Sequence, residues 1–154
     1  MLPGIALALS EIPVEMVEQC LRTLLVERRG EGEIQFLFSD AERVLPVWHE
    51  GRLQLVWWGN RWGESRALPL TGWARLETFE GGGWGKWRPV EVFIPATLGL
   101  DGRVWHYIRQ GVRGLLVRDE AGLARVYPLV EPSSHYYRTM TRADWMPCLV
   151  QERI

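Results

Sequence analysis

The sequence predicts an α+β fold: a single β-rich domain over residues 1–154, built on a barrel-like curled sheet with a few flanking helices. Three observations lead there. Short β-branched and aromatic runs, broken by glycine-, proline- or Asp-Gly-containing turns, recur from Ile34 to Val150. Only one extended stretch, after Pro13, has the three- and four-residue spacing of a helix. The chain has 154 residues with no internal repeat or interdomain linker, the size of one domain. Such a domain buries roughly two-thirds of its unfolded surface and needs no disulfide or metal to hold a core.

The elements follow in order. Residues 1–10 are apolar, lack a basic leader region and are too short to span a bilayer, so they read as a buried strand or extended segment. Ser10 and Pro13 predict a helix start, and Val14, Val17, Cys20, Leu21, Leu24 and Leu25 form one apolar face that ends at Arg28–Gly32. Ile34–Phe38 reads as a strand. Val44–Trp48 and Leu53–Trp58 flank Glu50-Gly51 as a hairpin. Gly81, Gly82, Gly83 and Gly85 predict a flexible loop before a strand over Val90–Ala96. Asp101-Gly102 turns the chain into Val104–Ile108. Val112–Val117 and Ala124–Val130 are strands around a turn at Ala121-Gly122. Pro132-Ser133-Ser134 caps a short helix over His135–Thr141, and Trp145–Val150 forms the last strand.

Composition narrows the function classes. With 18 basic against 19 acidic residues the net charge is −1, which excludes a nucleic-acid binder that works through bulk positive charge but leaves room for a local arginine groove. Lys86 is the sole lysine, and nine residues are tryptophan. Codon usage in a GC-rich genome would account for such an arginine preference whatever the function. Cys20 and Cys148 share no ligand spacing with His49, His106 or His135, so no metal site and no cofactor are expected, and both thiols read as buried and free. No run of about 18 apolar residues occurs, so the expectation is a soluble, cytoplasmic protein without a membrane partner.

Two familiar chemistries fail on spacing. Gly82-Gly83-Trp84-Gly85-Lys86 has neither the spacing nor the following Ser or Thr of a phosphate loop. Ser133-Ser134-His135 is no nucleophile elbow, and its serines suit helix capping. The segment Trp57-Trp58-Gly59-Asn60-Arg61-Trp62-Gly63 is less ordinary. Its indoles can stack on exposed bases with Arg61 on a phosphate, or they can fill the core at a hairpin end.

The order of motifs resembles the SRAP family, the SOS-response-associated peptidase-like proteins. The family pattern runs Met-Cys-Gly-Arg, a helix, Trp-Gly, Asn-Ala-Arg-x-Glu-Thr, Ile-Pro-Ala-x-Gly-Phe-x-Glu-Trp and His-Asp-Arg-Met-Pro. This chain has, in the same order, Met1-Leu2-Pro3-Gly4, Trp58-Gly59, Trp73-Ala74-Arg75-Leu76-Glu77-Thr78, Phe93-Ile94-Pro95-Ala96, Gly114-Leu115-Leu116 and Ala143-Asp144-Trp145-Met146-Pro147. The resemblance implies a single β-rich domain with a groove for single-stranded or abasic DNA. It also implies a covalent chemistry in which an N-terminal cysteine traps the opened sugar of an abasic site as a thiazolidine. In the family a glutamate and a histidine assist proton transfer, and an asparagine positions the reacting end.

The departures fall on the chemistry. Leu2 stands in the cysteine position, Trp73 in the asparagine position and Ala143 in the histidine position, while the glutamate position falls at or near Asp101. A thiazolidine needs amine and thiol on one residue, so Leu2 cannot form the ring. The resemblance therefore implies a non-catalytic, bacterial or phage-related member of a DNA-damage response. Arg75 is its phosphate contact, and Glu77, Trp58, Arg61, Trp62 and Trp73 join it along the groove. Arg75 and Glu77 can equally form a same-face ion pair on a strand. If an enzyme of the family type survives, Asp101 is its acid/base and Arg142 its charge stabiliser. A protein-interaction module without DNA binding is the third reading, favoured by the neutral charge.

Overall fold

The computed structural model describes residues 1–12, 25–28 and 30–150. The apolar start pairs as expected: β1 (Gly4–Ala8) is almost wholly buried and lies antiparallel to β3 (Glu31–Leu37) on one side and β8 (Leu98–Asp101) on the other. With β2 (Leu25–Arg28) outside β3 and β9 (Val104–Tyr107) outside β8, these strands form a five-stranded sheet in the order β2-β3-β1-β8-β9. The helix expected over Pro13–Leu25 falls largely outside the described residues. Its last expected member, Leu25, belongs to β2 instead, and Gly30 (φ 81°) turns β2 into β3 where a helix end was expected.

The second sheet closes on itself. β4 (Val44–His49) and β5 (Arg52–Trp58) form the hairpin expected at Glu50-Gly51, where both turn residues have positive φ (53° and 77°), as the tight primed turn requires. β4 meets β7 (Val90–Pro95), β7 pairs with β10 (Gly111–Arg118), β10 with β11 (Ala124–Pro132), and β11 runs parallel to β5 through Arg125↔Trp57 and Val126↔Trp58. That circuit is a closed five-stranded barrel. The two-residue β6 (Ala74–Arg75) and β12 (Trp145–Pro147) add to the far end of β11. Two α-helices are present among the described residues: α1 (Leu76–Glu80) and α2 (His135–Thr141). The cap expected for α2 is present, since Ser134 Oγ accepts the Tyr137 N–H at 3.1 Å.

Strands β10 and β11 show why the barrel holds. Their side chains alternate, and both faces are covered. Val112, Leu116 and Val126 enter the core shared with Leu2 and with Ile5, Ile34 and Phe36 of the first sheet. Leu115, Val117, Tyr127 and Leu129 face a second apolar cluster outside the barrel. The glycine-rich loop after α1 belongs to that cluster. Instead of the expected flexible excursion, residues 81–87 form successive turns that carry Trp84 into the interior, 4.9 Å from the Tyr127 ring and 5.2 Å from Trp87. No helix among the described residues is long and apolar enough to cross a membrane.

Candidate functional site

Residues from five elements meet where β8 turns into β9. Asp101 is buried at the end of β8, and Gly102 and Arg103 (φ 55° and 64°) form a tight turn that returns β9 antiparallel, pairing His106 with Gly99. A side chain on Gly99 would lie 2.8 Å from Leu2 Cδ1 and 2.9 Å from His106 Cε1, so leucine and imidazole share the space over that glycine. α2 supplies Tyr137, whose phenol donates to Asp101 Oδ2 at 2.8 Å and lies 3.2 Å from His106 Nε2. The Met1 nitrogen lies 3.5 Å from the same Asp101 oxygen. A Cβ on Gly102 would strike the Thr141 carbonyl, so the last residue of α2 is pressed against this turn. On the other side, Trp73 Nε1 donates to the Leu2 carbonyl at 3.0 Å. Leu2, Trp73, Asp101 and Thr141 are thus linked through Met1 and Gly102.

The electrostatics keep this cluster quiet at neutral pH. Burial pushes the Tyr137 phenol well above its ordinary range, and the bond to Asp101 pushes in the same direction. Burial also lowers His106, outweighing the Tyr107 backbone bond and the Asp101 charge that favour its protonated form. The arrangement is a carboxylate, a phenol and a neutral imidazole in series, able to hold or pass a proton. The Leu2 side chain is buried and apolar, and Trp73 clamps its carbonyl. Arg142 ends α2 in the left-handed conformation (φ 60°) with an exposed side chain, and no ion pair joins it to Asp101 among the described residues.

The aromatic and arginine residues divide into an inner and an outer group. Trp58 is fully buried, donates its indole N–H to the Gly72 carbonyl at 2.8 Å, and packs edge-on against Phe38 (5.3 Å) and Trp73 (6.2 Å). With no accessible surface it makes no direct ligand contact, which corrects its expected place in the groove. Four residues on, Trp62 is 82% exposed. Its backbone has φ 59°, a conformation costly for an aromatic residue and maintained by the loop around it. Buried Asn60 organises that loop: its amide donates to the carbonyls of Ser65 (2.9 Å) and Leu68 (3.0 Å), and its oxygen accepts the Ser65 N–H (3.0 Å). Arg61 lies 4.1 Å from the Trp62 ring centre while donating to the carbonyls of Phe38 (2.9 Å) and Asp40 (3.1 Å). One face of the exposed indole is therefore backed by an anchored guanidinium.

Beneath the loop, Arg43 is buried against Glu64, which also takes Arg125 at 3.4 Å, and Arg125 is paired a second time with Asp119 at 3.0 Å. Burial, then the nearby Arg61 and Arg125 charges, lower the Arg43 pKa. Arg75 is exposed with its guanidinium 4.4 Å over the Trp145 ring. The expected strand pairing with Glu77 does not form, because Arg75 ends β6 and Glu77 lies in the first turn of α1, where no ion pair joins the two among the described residues.

His106 and Tyr137 are the site residues the sequence reading did not single out. Alternation along Val104–Ile108 places His106 inward between outward Trp105 and Tyr107, which was a usable signal. Tyr137 gave none beyond its place on a short capped helix. Among the described residues no group of three or more His, Cys, Asp or Glu side chains is placed to hold a metal. No protein-family model, no curated protein and no solved structure matches this chain.

Proposed function

We propose that this protein is a non-catalytic, SRAP-like binder of single-stranded or damaged DNA. The observation that carries the reading is the Arg61–Trp62 platform: a highly exposed indole, held in an unfavourable backbone conformation, with one face backed by an anchored arginine and the other open. Base stacking on such a ring is worth about 1–3 kcal/mol per base and is tolerant of sequence. Arg75 over Trp145 supplies a second cationic and aromatic pair. The contact chain from Trp73 through Leu2 to Asp101 and, across Gly102, to Thr141 two residues before Ala143 supports the family half of the reading, since Leu2, Trp73, Asp101 and Ala143 are the positions at which the motif order puts the family's reactive groups. Leu2 and Ala143 have no group for the covalent step, and Trp73 fills the space beside Leu2.

Fluorescence anisotropy of a labelled single strand, read at about 50 and 200 mM salt, tests this reading. The expected result is salt-sensitive binding that Trp62→Ala weakens about tenfold and Arg75→Ala weakens with a shallower salt slope. An abasic strand binds at least as well as an intact one, with no heat-stable adduct. Absence of binding at the lower salt ends the DNA reading. A stable or borohydride-trapped adduct would replace it with an enzyme in which Asp101 and the Tyr137–His106 pair move the proton.

A further inference from the structure

A cavity of about 520 Å³ opens beneath α2, between β9, β11 and the last strand. Interior packing gaps are seldom larger than one water, whereas small-molecule sites run to several hundred cubic ångströms, so this volume has the size of a ligand site. It shares no residue with the Arg61–Trp62 platform.

The walls specify a chemistry. Tyr136 and Met140, four residues apart on one face of α2, line the cavity together with Tyr107 of β9. Tyr107 and Tyr136 are 72% and 76% exposed, two large rings left to solvent. Met140 and Met146 are soft, adaptable walls that pack well on a flat ring. Tyr137 is a fixed wall, since its hydroxyl is held by Asp101 and His106. Glu131 reaches into the cavity, with Oε2 accepting the Cys148 thiol at 3.2 Å. Arg113 also borders the cavity, half-exposed and held at 2.6 Å by Glu91.

A purely apolar ligand would strip water from Glu131 without replacing its hydrogen bonds, and a cationic one would meet Arg113. A planar, neutral ring with N–H donors and an anionic tail suits both groups. We propose that this cavity binds one unpaired nucleobase, stacked on the tyrosines, with an amino group of the base donating to Glu131 and the phosphate near Arg113. Carboxylates accept from cytosine N4 in this way. The base can come from a free nucleotide or from one residue of a single strand.

Calorimetric titration of the full chain with the 5′-monophosphates of adenosine, guanosine, cytidine and uridine, and with a ten-residue single strand, tests the proposal and separates the sources. The expected result is binding of the amino-bearing adenosine, cytidine and guanosine monophosphates above uridine monophosphate. Tyr136→Ala weakens it about tenfold, and Glu131→Gln removes the preference among bases. Met140→Trp, which fills the cavity, blocks binding; Tyr136 is exposed, so its variant remains informative if the filled one does not fold. Binding of the strand alone, lost in Tyr136→Ala, supports the pocket with the base supplied by a polymer. Silence from all five ligands overturns the proposal. So does mononucleotide binding that Tyr136→Ala leaves intact, and so does strand binding lost only in Trp62→Ala, which leaves the platform reading standing.

Discussion

Two loops of similar composition meet opposite fates in this molecule. Residues 57–63 and 81–87 are both built from glycine, tryptophan and one long cation, yet the first displays Trp62 to solvent and the second buries Trp84. What differs is the surface each loop lies on. Below residues 81–87 the outward face of β11 presents Tyr127 and Leu129, an apolar surface that an indole covers. Below residues 59–66 lie Arg43 and Arg125, both paired with the loop's own Glu64, so the loop closes through Asn60 and Trp62 points away. Tryptophan content by itself thus predicts neither core nor binding surface.

Four measurements break or sharpen that contrast. Trp84→Ala empties a large site in the outer cluster and should cost about 3–5 kcal/mol in urea unfolding. Asn60→Ala leaves the buried Ser65 N–H and two carbonyls without their partner and should cost about 2–3 kcal/mol, with Trp62 losing its fixed geometry. His106 carries a smaller, pH-dependent term. Its folded pKa lies below the ordinary value of 6.5, so the folded state takes up the proton less readily than the unfolded chain. Stability should be full above pH 6.5 and fall as the pH drops from there through the lowered folded value, and His106→Gln should flatten the melting temperature over that window. Trp62→Ala should shift stability by no more than about 0.5 kcal/mol while costing about tenfold in single-strand affinity. A large stability loss for Trp62→Ala, or a small one for Trp84→Ala, would mean that the two loops had been assigned the wrong way round.

Much of the fold was legible because the signals are local. Glu50-Gly51 needs two positive φ angles and forms the hairpin, Ser134 caps α2 where Pro132-Ser133-Ser134 suggested, and the alternation along residues 112–130 matches two strands buried on both faces. Other features were hidden for equally physical reasons. Leu98–Asp101 is assigned no element from the sequence, because Gly99 and Asp101 interrupt its apolar pattern. It is a strand because Gly99 makes room for Leu2 and His106, and Asp101 is satisfied by Tyr137. The 81–87 loop looked flexible because glycine relaxes the backbone, while its order comes from Trp84 packing on Tyr127, far away in the sequence.

By itself the sequence determined the strand and turn periods, the absence of a cysteine at position 2, and the supply of arginine and tryptophan without excess charge. Only the tertiary structure decided that β5 and β11 close the barrel in parallel, that Trp58 is sealed in while Trp62 is shown, and that His106, Tyr137 and Asp101 form one hydrogen-bonded series. Backbone periodicity and turn chemistry act over a few neighbouring residues. Burial and polar pairing depend on which distant strands share a face, and only closure of the barrel settles that.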